Sequence, residues 1–519
     1  MKRADLIEKL EHQLADGWDL IVIGGGATGS GIALDAVTRG YRTLLLEQSD
    51  FGKGTSSRST KLVHGGVRYL AQGDVLLVLE ALRERGRMLR NAPHITADQE
   101  FIIPVYSWFD TMLYTLGLKF YDLLAGKLSL GKSYFIGKNE TLERLPNLKR
   151  EGLIGGVVYH DGQFDDSRMI LTLIRACFKN GGIALNYFKV NDLIKDDKGK
   201  VTGVAAKDAI SGKEYKLQSG LVINATGVFA DDILRIDTPG APSIIRPSQG
   251  IHIVLDKSFL RSNSAIMIPK TDDGRVLFAI PWYGRVVVGT TDIPREKISL
   301  DPVPLEDEID FILRTARRYL VKSPERGDIL SVFAGLRPLA SDPKNPLATK
   351  EISRRHKIIQ SQSGLITVTG GKWTTYRMMA EETLDKAIKS GLLIKSFSVT
   401  KNLRLNSIPL NKSSEHLQIY GEQAIEIEKI VEDNRELGIP LIPVLPYSRA
   451  EIIWICRNEI PVTIEDVLAR RTRALFLDAG ASAAIAPEVA GIMAKELGLD
   501  DKWQKDQLEA YDNLIKSYF

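Results

Sequence analysis

The hydrophobic pattern near the amino terminus consists of two short apolar runs separated by a glycine-rich turn and a helix. Residues 19–23 (DLIVI) predict a buried strand, and residues 43–47 (TLLLE) predict a second strand that ends in an acid. Between them, residues 30–38 are compatible with a helix. Strand, glycine turn, helix and second strand in this order are typical of a βαβ unit that binds a dinucleotide.

The turn GGGATG assigns a separate role to each of three glycines. Gly24 permits the tight turn, Gly26 lets the backbone approach a pyrophosphate, and Gly29 allows the helix to pack closely on the strand. The helix N-terminus offers free N–H groups and partial positive charge to phosphates. Glu47 is placed to accept hydrogen bonds from the adenosine ribose. A glycine-rich turn without a ligand is the alternative, but all four features agree with the nucleotide site.

Later segments distinguish FAD from NAD, since the same unit binds both. Residues 55–61 (TSSRSTK) form a hydroxyl-rich loop suited to a long cofactor tail, and residues 221–227 (LVINATG) resemble the ATG motif of flavoproteins. A second G-x-G-x-x-G after a strand is absent from the sequence, so we expect no separate NAD(P)H domain. The predicted cofactor is FAD alone, with contacts at Thr55, Ser57, Ser59, Lys61, Thr226 and Gly227.

Composition excludes several classes of protein. A chain of 519 residues exceeds one small core, so two or three domains are expected. Apolar and charged fractions of 44% and 26% exclude wholesale disorder. Cys177 and Cys456 make no disulfide or metal pattern, which fits a reducing compartment. The net charge of +4 permits attraction to anionic lipid or a phosphorylated substrate but requires neither. We predict no metal and no nucleic-acid partner.

Residues 101–135 carry aromatic and apolar side chains interrupted by lysines. We expect no membrane-spanning helix, because the sequence contains no run of about 18 apolar residues. The first 17 residues also lack the apolar core of a secretory signal. Aromatic residues beside lysine suit the water–lipid boundary. A buried helix pair or a homodimer contact explains the pattern equally well. The residues concerned are Trp108, Phe109, Tyr114, Phe120 and Tyr121 with Lys119, Lys127 and Lys132.

Residues 55–70 (TSSRSTKLVHGGVRYL) resemble the FAD-dependent glycerol-3-phosphate dehydrogenases of bacteria and mitochondria. The resemblance runs in order from about residue 18 to residue 380, and EDVLARRTR (465–473) continues it in the C-terminal region. The other matching segments are RPSQGIH (246–252), VGTTD (288–292), AGLRPL (334–339), SRRH (353–356) and GGKWTTYR (370–377).

The resemblance implies an α/β fold with three parts. The first is a Rossmann-like FAD-binding domain of the glutathione-reductase or D-amino-acid-oxidase type. An interleaved mixed-sheet substrate domain and an all-helical C-terminal cap domain complete the chain. The predicted boundaries are 15–75, 160–235 and 350–390 for the FAD-binding domain, 76–159 and 236–349 for the substrate domain, and 396–519 for the cap.

The resemblance also implies the reaction, in which sn-glycerol 3-phosphate is oxidised to dihydroxyacetone phosphate. A hydride passes from C2 to flavin N5, and the electrons go to quinone. For the aromatic segment it favours a peripheral membrane contact, at the cytoplasmic face of the inner membrane. Three alternatives stay open: a soluble glycerol-3-phosphate oxidase that reduces oxygen to peroxide, an amino-acid or amine oxidase, and a flavin-binding protein without turnover.

Such a reaction needs cations for the substrate phosphate, and arginine suits this because its planar fork bonds two oxygens at once. In the segments that resemble the family, the candidates for binding substrate are Arg68, Arg354 and Lys372, with a hydroxyl from Tyr69. Arg337 is predicted to stabilise the developing alkoxide. Because Arg355 adjoins Arg354, the sequence leaves open which of the two faces the site.

The proton acceptor is predicted from seven histidines. His252 alternates with apolar residues in GIHIVL, and the family resemblance places it beside the substrate; a buried structural histidine is the alternative. An ordinary histidine pKa suits this role near neutral pH. His64 is the second candidate and could instead orient the flavin. The turn that follows residues 365–369 is predicted to contact the flavin ring, through Gly370, Gly371, Lys372 and Trp373.

Overall fold

A computed structural model of the protein describes residues 2–71, 73–271, 274–340, 355–406 and 415–519, and all structural statements refer to these residues. The side chains of Arg68, Ala71 and Glu415 lie outside this description. The strands are β1 (Leu20–Ile23), β2 (Thr43–Leu46), β3 (Leu62–Val63), β4 (Thr96–Val105), β5 (Tyr134–Gly137), β6 (Gly155–Phe164), β7 (Ile183–Leu185), β8 (Phe188–Lys195), β9 (Val201–Asp208), β10 (Glu214–Gln218), β11 (Val222–Asn224), β12 (Ile245–Asp256), β13 (Ala265–Ile268), β14 (Leu277–Trp282), β15 (Arg285–Gly289), β16 (Ile293–Pro294), β17 (Ile329–Ala340), β18 (Lys357–Gln360), β19 (Ile366–Thr369), β20 (Pro440–Ile442) and β21 (Leu445–Ser448).

The α-helices carry most of the C-terminal region and cover the sheets elsewhere. They are α1 (Arg3–His12), α2 (Ala27–Thr38), α3 (Val67–Ala71), α4 (Val75–Asn91), α5 (Trp108–Ala125), α6 (Lys138–Arg144), α7 (Asp166–Lys179), α8 (Ala230–Asp237), α9 (Glu306–Tyr319), α10 (Tyr376–Lys389), α11 (Ala424–Asp433), α12 (Arg449–Asn458), α13 (Ala474–Leu477), α14 (Ala479–Leu497) and α15 (Asp501–Ile515).

A six-stranded sheet, in the order β18-β19-β11-β1-β2-β7, forms the core of the first part of the fold. Its strands are parallel except β18, which pairs antiparallel with β19. Every residue of β1 is buried, as expected where helices cover both faces of a parallel sheet. Helix α2 packs against α10 and α7. The predicted βαβ unit is therefore present, with the glycine turn at the carboxyl end of β1.

A ten-stranded mixed sheet forms the second part, with β17 and β5 attached to its strands β12 and β6. Helix α9 contributes Ile309, Ile312 and Leu313 to the apolar cluster over this sheet. The long antiparallel pair of β12 and β17 aligns Ser248 with Arg337 and His252 with Phe333. Two distant segments of sequence thereby bring their polar side chains to one region of the sheet.

The C-terminal region is helical, as predicted, but it also contains a two-stranded hairpin of β20 and β21. The prediction of an all-helical domain is wrong in this detail, because the strands are only three and four residues long and carry no alternating pattern. Buried residues of this region share one apolar cluster with the six-stranded sheet. The C-terminal region is thus packed on the nucleotide-binding part of the chain.

Candidate active site

A cavity of about 550 Å³ lies at the carboxyl ends of β1 and β2. It extends from the glycine turn to the turn after β19. Among the predicted cofactor residues, those lining it are Gly24, Gly26, Glu47, Thr55, Thr226, Gly227, Gly370, Gly371, Lys372 and Trp373. The sequence missed Lys53 and Ser56, which line the cavity beside them.

The three fingerprint glycines occupy positions that larger residues would disturb. Gly24 has a φ of +106°, and a Cβ atom there would stand 2.6 Å from the carbonyl oxygen of Ala225. On Gly29, a Cβ atom would stand 1.8 Å from the carbonyl oxygen of Gly24. Gly26 lines the cavity, and its nearest neighbour would be Ser56 Oγ at 3.0 Å. Gly24 and Gly29 are therefore needed by the protein's own packing, whereas Gly26 keeps the cavity open.

Glu47 stands at the end of β2 with its carboxylate turned back to the glycine turn. It accepts hydrogen bonds from the backbone N–H of Gly25 at 2.6 Å and of Ser49 at 2.9 Å. Burial raises the pKa of Glu47, and these two N–H groups oppose the rise. The carboxylate is oriented by its backbone partners and lines the cavity, as a ribose-binding acid requires.

Ser56 connects three segments around the cavity. Its hydroxyl oxygen accepts the N–H of Ala27 at 2.9 Å, at the start of α2, and its carbonyl accepts Trp373 Nε1–H at 2.8 Å. Thr55 donates its hydroxyl to the carbonyl of Leu336 at 2.5 Å. The hydroxyl-rich pattern pointed to this loop, but it did not single out Ser56.

Three predicted cofactor residues of the same loop have other partners. Ser57 is buried and donates to the carbonyl of Gly52, and Lys61 is fully buried with its amino group on Asp166. Neither lines a cavity described here, so the structure does not place their side chains against the cofactor. Ser59 lines the second cavity, but its hydroxyl donates to Asp166 at 2.6 Å. The Asp166 carboxylate, distant in sequence, turns the side chains of Ser59 and Lys61 inward.

The residues around the first cavity fit FAD. Glycines make up much of its wall, at both the turn after β1 and the turn after β19. Gly370 and Gly371 have φ values of +74° and +81°, and a Cβ atom on Gly371 would meet Met379 Sδ at 2.5 Å. The long, glycine-lined shape and the N-terminus of α2 suit a dinucleotide with its pyrophosphate at the helix.

A second cavity of about 230 Å³ adjoins the first and shares Thr55, Pro338 and residues 370–373 with it. Both predicted catalytic residues line it, together with predicted substrate and flavin residues from the loop after β2, from the segment 64–70 and from the turn after β19. These are His252 and Arg337 with Ser59, His64, Tyr69, Gly370, Gly371, Lys372 and Trp373. The fold thus brings to one place residues separated by more than 300 positions in the sequence.

His252 is 2% exposed, with its ring stacked on Phe333 at 4.9 Å between centroids. Its Nε2 lies 3.0 Å from the hydroxyl of Thr60, and its Nδ1 has no hydrogen-bond partner among the described residues. Burial, with Lys61 and Arg337 nearby, lowers the pKa of His252 well below its usual value. The expectation of an ordinary pKa is therefore wrong, because the ring is buried among cations.

Arg337 extends from β17 into the gap between the second cavity and a third. Its guanidinium donates to Asp292 Oδ1 at 3.2 Å, to Thr290 Oγ1 at 3.0 Å and to the carbonyl of Thr291 at 3.0 Å. A Cβ atom on Gly250 would stand 2.3 Å from Arg337 Nη2, so only glycine leaves room for the side chain there. These contacts hold the arginine in one orientation.

Tyr69 and Lys372 both line the second cavity and contact each other. Lys372 Nζ lies 3.9 Å from the centroid of the Tyr69 ring, a cation–π distance. The backbone of Arg68 lies in α3, directly before Tyr69, but its side chain is outside the described part. Arg354 lies outside the described residues altogether. Its predicted phosphate contact stays a prediction, as does that of Arg68.

A third cavity of about 200 Å³ lies on the other side of Arg337. Arg275 lines it together with His64, Tyr69 and Asp161. Arg275 was not predicted from the sequence, because its segment TDDGR (271–275) indicates only a hairpin turn. Arg275 therefore adds a further cationic group close to the predicted substrate residues, in a cavity that aromatic side chains also line.

Comparisons with known proteins identify the family of this chain. Residues 19–377 match the family model described as FAD dependent oxidoreductase, and residues 364–504 match the C-terminal domain of alpha-glycerophosphate oxidase. The mitochondrial glycerol-3-phosphate dehydrogenase of Macaca fascicularis is 41% identical over 95% of this chain and 72% of its own length. The probable mitochondrial enzyme of Caenorhabditis elegans is 40% identical over 98% of this chain and 74% of its own length.

Solved structures show the same relationship. The glycerol-3-phosphate dehydrogenase of Bacillus halodurans, solved in complex with FAD, has a TM-score of 0.81 and 29% identity over all of this chain and 98% of its own. Glycine oxidase of Geobacillus kaustophilus shares the fold alone, with a TM-score of 0.54 and 17% identity over 75% of this chain and 98% of its own. The chain belongs to the FAD-dependent glycerol-3-phosphate dehydrogenases, a family of oxidoreductases with FAD as cofactor.

Proposed function

We propose that this chain oxidises sn-glycerol 3-phosphate to dihydroxyacetone phosphate by hydride transfer from C2, and that its electrons pass to membrane quinone. The observation that carries the proposal is the second cavity. It joins the cofactor cavity at residues 370–373 and holds a neutral histidine, an oriented arginine and a lysine. The histidine would accept the proton and the two cations would bind the phosphate, while the adjoining cavity would hold the flavin that accepts the hydride.

Cations around the second and third cavities bind the substrate in this proposal. The phosphate carries nearly two negative charges, and each charge-assisted hydrogen bond contributes about 1.5–3 kcal/mol. Lys372 and Arg337 line the second cavity, and Arg275 lines the third. Arg68 and Arg354 are proposed to join them. Tyr69 adds a hydroxyl from the same wall.

His252 takes the proton of the C2 hydroxyl. Its lowered pKa keeps the imidazole neutral at pH 7, so a nitrogen lone pair is available. A weak base is sufficient where the alkoxide is stabilised, and Arg337 supplies that stabilisation from the same cavity. The chemistry that bound FAD supplies is hydride acceptance at flavin N5. Burial of His252 also keeps water away from the proton-accepting side chain.

Helix α5 supports a peripheral membrane contact. Along it, large apolar side chains are exposed: Trp108, Phe109, Met112, Leu113, Leu116, Phe120 and Leu123. A buried helix pair is therefore the wrong interpretation for a single chain. Lys119 is exposed on the helix, and Lys127 and Lys132 follow it, as at a lipid headgroup boundary. None of the described helices is long and apolar enough to cross a membrane. We propose a peripheral location at the cytoplasmic face of the inner membrane, supported by the exposed apolar side chains of α5.

The buried face of α5 contacts residues at the third cavity. Tyr121 OH accepts the N–H of Gly65 at 2.9 Å and donates to Asp161 at 2.8 Å, and Asp161 lines the third cavity. A Cβ atom on Gly65 would stand 2.3 Å from this hydroxyl. The proposed membrane helix therefore contacts the HGG segment directly, which supports electron transfer to a membrane quinone near the site.

We also propose the domain division 15–75, 160–235 and 350–390 against 76–159 and 236–349, with 396–519 as the cap. Membership of the sheets supports it, since all strands of the six-stranded sheet lie in the first set of ranges. Strand β3 and the end of β6 depart from this rule: they join the mixed sheet although they lie in the first set.

Anaerobic titration tests the reaction. The protein with FAD bound should lose its flavin absorbance on addition of sn-glycerol 3-phosphate and keep it with glycerol, which lacks the phosphate, or with glycine. An unbleached flavin would overturn the proposal. Reoxidation of the reduced flavin by a soluble quinone, faster than by dissolved oxygen, is expected. The opposite order would favour the oxidase of the same family.

A further inference from the structure

Asp166, at the start of α7, is a fully buried carboxylate on which several donors converge. Lys61 Nζ approaches its two oxygens at 3.0 and 2.8 Å, and Arg473 Nη2 approaches one at 3.1 Å. Ser59 donates both its backbone N–H, at 3.0 Å, and its hydroxyl, at 2.6 Å. These donors, together with the N–H of Ser167, make Asp166 the common anchor of residues 59–61.

Both cations on Asp166 come from residues with unfavourable backbone conformations. Lys61 has a φ of +63° and Arg473 a φ of +68°, the left-handed region that side chains with a Cβ atom avoid. Such a conformation is strained and persists only where its surroundings determine it strongly. Arg473 lies two residues after the π-helical segment Asp466–Arg471, and such segments are frequent at functional sites.

Thr60 lies between the two anchored residues, and its hydroxyl is 3.0 Å from His252 Nε2. The stacked ring of Phe333 determines the plane of the imidazole, and the hydroxyl of Thr60 determines how the ring is turned within it. Because Nδ1 of His252 has no hydrogen-bond partner in the described chain, the Thr60 contact is the hydrogen bond that can orient this ring.

We propose that Thr60 is a positioning residue for His252, and that Asp166 holds Thr60 in place with the help of Lys61 and of Arg473 from the C-terminal region. This rests on the proposed role of His252 as proton acceptor. It gives the C-terminal region a part in the reaction through a chain of contacts: Arg473 to Asp166, Asp166 to Ser59 and Lys61, and Thr60 to His252.

Thr60→Val tests the first link, because valine has nearly the same shape without the hydroxyl. Flavin reduction by glycerol 3-phosphate should slow about 10- to 100-fold, the effect of one lost buried hydrogen bond, while the substrate dissociation constant stays within about twofold. Thr60→Ser should restore most of the rate. Equal rates for Thr60→Val and the wild type would overturn the proposal. Absence of flavin reduction in the wild type would instead overturn the proposed function.

A second readout does not depend on activity. In protein labelled with ¹⁵N in its seven histidines and free of FAD, Thr60→Val should shift the ring signals of one histidine, identified by their absence in His252→Gln. Thr60→Ser should leave these signals near their wild-type positions. Unchanged His252 signals in Thr60→Val would contradict an orienting hydrogen bond.

A double-mutant cycle tests the link to the C-terminal region. Arg473→Gly removes the guanidinium and relieves the left-handed backbone, and it should slow flavin reduction; Arg457→Gln, at an exposed arginine paired with Glu496, should not. If Arg473 acts through Thr60, the double variant with Thr60→Val is no slower than the slower single variant. If the rate reductions of the two single variants multiply in the double variant, the two residues act independently and the link from Arg473 to Thr60 is overturned. If Arg473→Gly does not fold, Arg473→Asn replaces it in the cycle, because asparagine also tolerates the left-handed backbone and lacks the guanidinium.

Discussion

The carbonyl oxygen of Gly24 lies so close to the α-carbon of Gly29 that a Cβ atom at position 29 would stand 1.8 Å from it. Gly26, between them, would instead meet only the hydroxyl of Ser56, at 3.0 Å. The first contact joins helix to strand within the protein, and the second borders the cofactor cavity. Substitutions at the two positions should therefore fail in different ways.

Gly26→Val should fold but lose FAD, because its branched side chain projects where the pyrophosphate approaches. Gly29→Ala should lower the melting temperature of the FAD-free protein, because the backbone must shift to admit a methyl group. Absorbance at 450 nm after addition of FAD and thermal unfolding measure the two effects. A Gly26→Val protein with normal FAD affinity would contradict the placement of the pyrophosphate.

Arg337→Lys should weaken substrate binding about 10- to 100-fold and also slow flavin reduction, because lysine keeps the charge but loses the planar fork. FAD content should not change. Stopped-flow reduction at several substrate concentrations separates the two effects. Arg285→Lys is the matched control, since that arginine also lies in the mixed sheet but pairs with Asp478. Equal behaviour of the two variants would argue against Arg337 as a substrate contact.

His252→Gln should slow flavin reduction about 100- to 10,000-fold with substrate still bound. The pKa of His252 is well below its usual value, so the histidine is protonated only at low pH. The wild-type reduction rate should therefore show no acidic limb from this residue between pH 6 and 8. His64→Gln should mainly change the flavin spectrum. A near-normal rate in His252→Gln with a collapsed rate in His64→Gln would make His64 the proton acceptor.

Asp50→Asn should destabilise the protein by about 3–5 kcal/mol, because Arg470 and Arg471 would lose the shared carboxylate that both contact in the core. Burial alone would raise the pKa of Asp50, but Arg471 and Arg470 outweigh it and lower the pKa to about 2. The contribution of Asp50 to the free energy of unfolding is therefore complete above about pH 4 and falls as the pH approaches 2. Urea unfolding measures the loss. Glu496→Gln, which removes the ion pair with the exposed Arg457 at the surface, should cost under about 1 kcal/mol.

Replacing Leu113 and Leu116 by Asp should reduce sedimentation with anionic lipid vesicles while leaving flavin reduction by substrate intact. Both side chains are more than half exposed on α5, so the fold should tolerate the change. The same substitution at Ile394 and Phe397, exposed outside α5, is the control. Unchanged vesicle binding, with a loss of self-association measured by sedimentation velocity, would identify α5 as a homodimer contact instead.

Local features of the fold could be predicted because neighbouring residues determine them. The glycine turn, α2 and the acid at the end of β2 lie within 30 residues, and their spacing alone specifies a βαβ unit. The helical character of the C-terminal region was also predicted, from the family resemblance. The two short strands of its hairpin were missed, since three or four residues are too few to show a pattern.

The active site depends on contacts between distant segments. Motifs selected His252, Arg337, Tyr69 and Lys372 one by one, and the pairing of β12 with β17 and the turn after β19 brings them to one cavity. The spacing of residues in the sequence does not determine which side of a loop faces that cavity.

The loop after β2 shows the difference between sequence and tertiary structure most directly. Its run of hydroxyl groups identified a cofactor loop from sequence alone. Asp166, more than 100 residues later in the sequence, binds Lys61 and the hydroxyl of Ser59 and so turns both side chains away from the first cavity. Ser57 donates its hydroxyl to the carbonyl of Gly52 instead. A buried carboxylate must be paired, so this long-range electrostatic requirement outweighs the local pattern, while Ser56 lines the first cavity and Thr60 contacts His252.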